Sequence, residues 1–367
     1  MKKIFITLAA IATLAACSKS EVAYEQENTP IAISPVAANR TKAMVTGTEF
    51  PAENFTVWAY YKQLPVATTI ADWQAATTFA QQTYIDQKAF APRTGENAGL
   101  WGGADATYFW PKAGSLMFVG YYPTTMKNVE YSFTASENKM TVEGYTPGDY
   151  QTTGFVNTES GANHVEDFMY FNMTESSCDA TTQGPDNSVK GGNHIDVVFK
   201  HALSWLSVVL KKDSATPAGA TITVKKVYFT EVNTTATGTV NNSPDKSKGE
   251  SNVISWATTD DETNVYVLGS ETTDNTTALT EDYTCKQPVV IPQTMDGNIV
   301  VTYEIKSTDG SAFTETVTLP LSGLTTDVNS WDPAKKYTYT VTIGTSEILI
   351  DPSVTDWEDV EIPVEVK

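Results

Sequence analysis

Apolar and polar residues alternate with a period of two along much of the chain, and this pattern predicts β-strands. The segment Phe55–Tyr61, for example, is rich in aromatic and β-branched side chains, which are common in strands. Turn-forming residues separate the strand candidates at short intervals. Many short strands with little helix between them indicate an all-β fold of packed sandwiches rather than a parallel βαβ sheet.

The strand candidates fall into two groups. In the first half of the chain they are Pro30–Val36, Ala43–Thr46, Phe55–Tyr61, Ala106–Trp110, Ser115–Tyr122, Tyr131–Phe133, Lys139–Val142 and Phe168–Phe171. In the second half they are His194–Phe199, Leu203–Leu210, Ile222–Val232, Asn264–Leu268, Val289–Ile291, Asn298–Ile305, Ala312–Leu319 and Tyr337–Ile343.

Two local predictions refine this pattern. The turn residues Pro111, Ala113 and Gly114 predict that Ala106–Trp110 and Ser115–Tyr122 form a hairpin. One short helix is predicted at Ile70–Phe79, because its apolar residues share one helical face.

The stretch from Asn172 to Asn193 contains almost no large apolar residue. Its aspartate, asparagine, serine, threonine, glycine and proline residues are typical of a linker. We therefore expect one domain over residues 41–190 and a second over residues 191–367.

The C-terminal residues alternate strictly between two faces. Pro363 cannot donate a backbone hydrogen bond, so this segment is expected to be an edge strand or an added strand rather than a central one. The simplest alternative is a strand that pairs only within its own domain. The aliphatic side chains on one face are Val360, Ile362, Val364 and Val366.

The N-terminus has the features of an export signal: two lysines precede a short apolar run that ends in small residues and Cys17. This ending resembles the lipobox of bacterial lipoproteins, in which the cysteine is acylated and becomes the new N-terminus. The alternative is an ordinary cleaved signal with an incidental cysteine. Residues 1–17 are thus expected to be the lipoprotein signal segment, of which the acylated Cys17 is retained, and residues 18–40 to be a spacer or propeptide that contains the first strand.

Composition excludes several classes of partner. The 367 residues carry a formal net charge of −20, which would repel nucleic-acid phosphates and anionic lipid headgroups. No nucleophile motif, metal-ligand spacing or cofactor fingerprint occurs, so no catalytic, cofactor or metal residues are assigned and the chain is not expected to be an enzyme. With Cys17 acylated, Cys178 and Cys285 remain, either as a disulfide or as two free thiols.

Several segments resemble the fimbrillin family, the lipoprotein-derived type V pilins of Bacteroidales, in its fimbrillin-like and Mfa-like branches. One of them has Ala334 where the family usually has glycine. The resemblance covers nearly the whole chain after the signal, in the family's order. The segments are Leu100–Trp101, Tyr108–Pro111, Ser115–Pro123, Val198–Ser204, Ser330–Tyr339 and Val354–Glu358.

This resemblance implies two transthyretin-like Greek-key β-sandwich domains in tandem. It also implies export as a lipoprotein, cleavage after an arginine by a trypsin-like protease, and polymerisation at the cell surface by strand addition. Arg40, or alternatively Lys42, lies in the polar link where such a cut should fall. The terminal strand, within residues 347–367, is then the candidate donor to the next subunit.

Two functions compete on these residues. The first is a structural pilin subunit of a fimbrium that serves adhesion, with other pilin subunits as partners. The second is a binding lipoprotein, such as a fimbrial anchor, a tip or an adhesin for a glycan or host protein, which stays lipidated on the outer membrane. Only the first requires the cut at Arg40 and a donor strand. In both, the chain contacts the membrane only through the lipid on Cys17.

Overall fold

The computed structural model describes residues 30–37, 50–62, 82–110, 115–133, 138–147, 167–171, 181–182, 194–241, 253–324, 328–344 and 348–356. Within these ranges the chain forms β-strands arranged in several sheets, with two short 3₁₀ turns at Gly95–Asn97 and Leu321–Gly323. The all-β fold predicted from the alternation is therefore confirmed. No described helix is long and apolar enough to cross a bilayer.

The described strands in chain order are β1 (Ile33–Ala37), β2 (Phe55–Lys62), β3 (Gln82–Pro92), β4 (Trp101–Gly103), β5 (Ser115–Tyr122), β6 (Val129–Phe133), β7 (Asn138–Tyr145), β8 (Met169–Phe171), β9 (Thr181–Thr182), β10 (Ile195–His201), β11 (Ser204–Lys212), β12 (Thr221–Asn233), β13 (Ala236–Asn241), β14 (Ser255–Thr258), β15 (Glu262–Leu268), β16 (Tyr283–Thr284), β17 (Val289–Val290), β18 (Gln293–Thr294), β19 (Asn298–Lys306), β20 (Ala312–Pro320), β21 (Ser330–Trp331), β22 (Lys335–Ile343) and β23 (Ile348–Asp356).

Seven of these strands form a closed ring. Their pairing order is β2, β3, β4, β1, β10, β8 and β5, and β5 pairs again with β2. Because side chains alternate along a strand, every strand of the ring has one inward face and one outward face. The inward face of β2 carries Phe55 and Val57, which join an aromatic core inside the ring.

A second sheet covers part of the outside of this ring. Its order is β14, β13, β7 and β6. Trp58 and Tyr60 on the outer face of β2 pack in one core with Met140 of β7 and Val240 of β13. The outward alternate positions of β2 are therefore as buried as the inward ones.

Most of the remaining strands form a sandwich with its own core, whereas β9 pairs with β5 and β18 pairs with β21 in a two-stranded sheet. One sheet has the order β16, β11, β22, β23, with β17 also paired to β11, and the facing sheet has the order β15, β12, β19, β20. Trp331, Phe229 and Tyr339 meet at the centre, where the Trp331 indole donates a hydrogen bond to the Tyr339 hydroxyl (Nε1···Oη 3.0 Å).

A two-residue link joins the ring to this sandwich. Ala202 and Leu203 lie between β10 and β11, and their backbone is held by three hydrogen bonds. Ala202 donates to the Phe168 carbonyl and accepts from the Trp256 indole, and Leu203 accepts from the Ala334 amide. The connection is therefore fixed on both sides.

Most strand predictions are confirmed, but the predicted hairpin is wrong. Strand β5 pairs with β2, β8 and β9 rather than with Ala106–Trp110. Within that segment Phe109 makes an isolated bridge to Pro30, and Trp110 packs against Phe118 in the ring core. Burial of these aromatic residues in a nonlocal core outweighs the local turn signal. The predicted strands do not include β3, β4, β13, β14 and β23, nor the two-residue strands β9, β16, β18 and β21.

Two other expectations concern the chain's organisation. The predicted helix Ile70–Phe79 and the strand Ala43–Thr46 lie outside the described residues. The boundary near residue 190 stays a prediction, but strand β10 beyond it pairs with β1 and β8 before it. The linker composition marks a loop and does not reveal which sheet the next strand joins.

Ala334 has a left-handed backbone conformation, with φ of 56°. This backbone conformation is sterically strained for alanine but not for glycine. We expect Ala334→Gly to raise the free energy of unfolding by about 0.5–1 kcal/mol in urea denaturation, because relief of strain exceeds the loss of one methyl group. Ala257→Gly in strand β14 is the matched control and should lower it by a similar amount.

The carboxylate of Asp261 fixes the crossing from β12 to β13. It accepts hydrogen bonds from the Thr234 amide (3.3 Å), the Thr235 amide (3.3 Å) and the hydroxyls of Thr234 and Thr259 (both 3.0 Å). Desolvation raises the pKa of Asp261, but hydrogen bonds from Thr235, Thr259 and Thr234 outweigh it and lower the pKa to about 2.

Because the folded state lowers this pKa, its stabilisation is present above about pH 4 and is lost as the pH falls through about 2. We expect Asp261→Asn to cost about 1 kcal/mol of unfolding free energy at pH 7, and much less at pH 2. Urea denaturation at both pH values measures the difference. Asp260→Asn removes the same charge next door, and an equal loss in that variant would contradict the assignment.

Candidate functional site: the first strand and its groove

Strand β1 is the first described strand and closes the ring between β10 and β4. It runs parallel to β10, with five paired positions from Ile33–Ile195 to Ala37–Phe199. Its pairing with β4 consists of a single position, Ile33–Trp101. The ring is thus closed at this point by one short strand near the beginning of the chain.

Apolar side chains hold β1 and the residue run before it in the ring. Ile31 and Ile33 belong to the ring core and are 1% and 0% exposed. Burial of two such aliphatic side chains contributes about 3–6 kcal/mol before entropy costs. The same segment also pairs with the backbone of β10, so packing and hydrogen bonding both depend on its presence.

Backbone hydrogen bonds flank these two isoleucines. The Ile31 amide donates to the Tyr108 carbonyl oxygen (N···O 2.8 Å), and the Ile195 amide donates to the Ala32 carbonyl oxygen (N···O 2.9 Å). Pro30 adds an isolated bridge to Phe109. The segment Ala106–Trp110, which does not form the predicted hairpin, therefore lies beside the backbone of the residues that lead into β1.

Arg93 provides a charged contact to the same segment. Its guanidinium donates a hydrogen bond to the Ile31 carbonyl oxygen (Nη2···O 2.9 Å). The guanidinium passes over Gly102, where a Cβ atom would lie 2.3 Å from the same nitrogen. Glycine at position 102 therefore leaves the room that the arginine needs to reach β1.

The groove beneath β1 is aromatic. Phe199 of β10 is its centre, with ring centroids 4.4 Å from Phe50, 5.2 Å from Phe55 and 4.9 Å from Phe171. Loss of β1 would expose this cluster to water and leave the facing edges of β10 and β4 unpaired. Such an edge over an apolar groove is a strong template for another strand.

The predicted site residues are mostly beyond the reach of the structure. Cys17, Arg40, Lys42, Cys178, Val360, Ile362, Val364 and Val366 lie outside the described residues.

Cys285 is described, and it is a buried free thiol in the structure. Burial raises the pKa of this thiol to about 12, so it stays protonated at neutral pH. The disulfide with Cys178 stays a prediction that this free thiol does not support.

The proposed donor region, residues 347–367, contains a described part. Ile348–Asp356 is strand β23, which pairs with β22 of the same sheet at nine positions. This part belongs to its own sandwich, so the donor candidate narrows to the residues after Asp356.

Other polar and aromatic candidates have structural roles. His201 is buried and its Nδ1 lies 2.7 Å from Oδ2 of buried Asp167, so it is a paired core histidine. Five tryptophans are core residues, which favours packing over a carbohydrate platform. No group of three metal-ligating side chains occurs among the described residues. The five tryptophans are Trp58, Trp101, Trp110, Trp205 and Trp331.

Comparison with known proteins decides the family. The sequence profile of the fimbrillin-like family matches residues 41–357. The chain belongs to the fimbrillin-like family. This membership places it among fimbrial cell-adhesion proteins. No curated protein matches the chain.

Solved structures similar to this fimbrillin-like chain include a fimbrial protein from Bacteroides vulgatus ATCC 8482. It shares 14% identity and a TM-score of 0.53, over 89% of this chain and 99% of that one, and so shows the same fold. Two Porphyromonas gingivalis proteins are more distant. The fimbrial anchor protein Mfa2 has 9% identity and a TM-score of 0.35 over 89% of this chain and 97% of that one. The tip fimbrial protein Mfa3, with a C-terminal truncation, has 10% and 0.34 over 90% and 100%.

Sequence reasoning missed the residues that hold β1. Arg93 is one of only two arginines in the chain, which was the one available signal for a special role. Nothing in the local sequence around Trp101, Phe199 and Gly102 shows that they lie next to β1, because this proximity is set by the order of the strands in the sheet.

We expect Arg93→Met to loosen β1, because the Ile31 carbonyl loses its charged donor. Amide hydrogen exchange at Ile195, which donates to β1, should speed up by about tenfold, as the loss of about 1.4 kcal/mol implies. Lys88→Met removes a cation from an exposed position on β3, the strand that ends just before Arg93. This variant should leave the exchange rate of the Ile195 amide unchanged. Equal acceleration in both variants would refute a specific role for Arg93.

Proposed function

We propose that this fimbrillin-like chain is a structural pilin subunit rather than an enzyme. It is exported as a lipoprotein acylated at Cys17, cut near Arg40 and polymerised by donor-strand exchange into an adhesive fimbrium on the outer membrane. The position of β1 supports this proposal most. A strand at the start of the chain closes the ring, and a single cut after it would make it a noncovalent ligand of the ring.

The position of Arg40 suits such a cut. It follows the last residue of β1, Ala37, by three positions in the sequence, and Lys42 follows two residues later. After cleavage the segment that carries the lipid is held noncovalently. The contacts are its pairing with β10 and β4, the backbone contacts to Tyr108 and Phe109, the Arg93 hydrogen bond and the two buried isoleucines. A competing strand with more aliphatic side chains can therefore displace it.

The C-terminal tail is the proposed competitor. Strand β23 ends at Asp356, and the residues that follow could extend about 36 Å at about 3.3 Å per residue. Burial of the four aliphatic side chains on one face of this tail would contribute about 6–12 kcal/mol before entropy costs. This exceeds the contribution of about 3–6 kcal/mol from Ile31 and Ile33, so the burial of aliphatic side chains favours the exchange.

The same contact explains a filament. The tail of one subunit would enter the groove of the next, which makes the interface heterologous and unclosed. Cys17 then acts as a temporary tether, because its lipid leaves with β1. A subunit that keeps β1 would remain lipidated, as expected of an anchor or a surface binder.

We expect limited trypsin digestion of the chain 18–367, which retains every described residue, to cut after Arg40 and to yield a ladder of oligomers. N-terminal sequencing and light scattering after size-exclusion chromatography measure the cut and the masses. The Arg40→Ala, Lys42→Ala variant should stay uncut in this link and should form no ladder of oligomers, because β1 remains covalently attached.

Deletion of residues 360–367 separates cleavage from assembly. The deleted chain should be cut normally but should form no ladder, since it lacks the donor. Ladders that persist after the deletion would refute the tail as donor. A full-length chain that is cut after Arg40 but forms no ladder would favour the permanently lipidated binding lipoprotein.

A further inference from the structure

Within the described part of the chain, strand β20 (Ala312–Pro320) is an exposed edge without the usual protection. It ends the sheet β15, β12, β19, β20, and it pairs with β19 over nine positions without a register shift. Proteins commonly protect such edges with lysine, internal proline or bulges. The other nine-residue edge strand described, β23, carries Pro352 in its middle, whereas β20 has its only proline at its last residue.

The open backbone groups of β20 can be identified from its ends. The Leu321 amide donates to the Gly297 carbonyl, and the Ser307 amide donates to the Ser311 carbonyl. Because backbone directions alternate along a strand, odd-numbered residues of β20 face β19 and even-numbered residues face outward. Thr314, Thr316 and Thr318 therefore present their N–H and C=O groups to the open edge.

The sequence of β20 is complementary to itself in the antiparallel direction. Its midpoint is Thr316, and a two-fold axis there places Thr316 opposite Thr316 and Thr314 opposite Thr318 of a second copy. On the other face the same axis places Phe313 opposite Leu319. Threonine pairs and aromatic–aliphatic pairs are both favourable across strands.

This register also covers the most exposed aromatic residue of the sandwich. Phe313 is 58% exposed, whereas Val317 and Leu319 on the same face already pack against the core. In a two-fold pair Phe313 would lie in a closely spaced position beside Leu319 of the second copy. The apolar core would then continue across the junction.

Charge favours this edge as a contact between copies. Two chains of net charge −20 repel each other, so a contact must be poor in charge. Strand β20 carries one ionisable side chain, Glu315, whose carboxylate already accepts a hydrogen bond from the Tyr303 hydroxyl (2.8 Å). In the two-fold register Glu315 faces Val317, and the two Glu315 side chains lie diagonally rather than opposite.

We propose that β20 is a lateral interface at which two copies of this chain pair in an antiparallel, two-fold arrangement centred on Thr316. The pair forms one continuous sheet of eight strands. This contact is isologous and closes after two copies, unlike the heterologous contact of a filament. It uses no residue of β1 or of the C-terminal tail, so it is independent of the proposed strand exchange.

The first test measures mass in the uncut chain. Sedimentation equilibrium of the Arg40→Ala, Lys42→Ala form of residues 18–367 should show a monomer–dimer equilibrium without larger species. Thr316→Lys places two cations on the axis and should weaken dimerisation by more than about tenfold, whereas Thr316→Val should retain it. Circular dichroism checks that both variants fold. A monomer at about 1 mM, or a dimer unaffected by Thr316→Lys, would overturn the proposal.

Cysteine cross-linking tests the register in a Cys178→Ser background. Thr316→Cys brings two Cα atoms to about 5.5 Å, within disulfide range, so it should cross-link with itself on oxidation. Thr314→Cys and Thr318→Cys should each fail alone but cross-link when mixed. A dimer that cross-links equally at Thr314 alone contradicts the register. Loss of the dimer on deletion of residues 357–367 would show that the tail, not β20, covers this edge.

Discussion

The closure of the ring by β1 is the contact on which the N-terminal half depends. Five backbone positions pair with β10, and Ile31 and Ile33 complete a core of aromatic and aliphatic side chains that come mostly from the other ring strands. Ring strands such as β2 are buried on both faces, so an opening at β1 also affects the core on the outside of the ring. A single short strand thus controls the integrity of a much larger assembly of side chains.

Few contacts hold β1 on its β4 side, and this bears on the proposed strand exchange. On the β4 side the pairing is reduced to one position, and a lone arginine supplies the charged contact. Strands inside the sandwich, such as β12, pair over most of their length on one side and partly on the other. The proposed strand exchange would depend on such a difference between a replaceable strand and strands that stay paired.

The two edges of the molecule differ in the kind of contact they invite. The groove under β1 is lined by apolar side chains. In the proposed function it accepts a strand with alternating aliphatic residues, and the contact between subunits is then directional. The β20 edge has no such groove, and its sequence is complementary to itself around Thr316 when two copies pair in the antiparallel direction. One surface suits growth of a chain of subunits, and the other suits pairing between two of them.

The sequence alone determined the all-β class, because alternation with a period of two and frequent turn residues are local properties. It located β1 and most of the strands, and the order of its motifs identified the fimbrillin family. It gave the wrong partner for Ser115–Tyr122, since pairing is decided by burial of Trp110 and Phe118 in a shared core. Only the tertiary structure decided that β10 joins the ring, that Arg93 holds β1 and that β20 is an open edge. These features depend on strand order, and strand order is fixed by contacts between residues far apart in the chain.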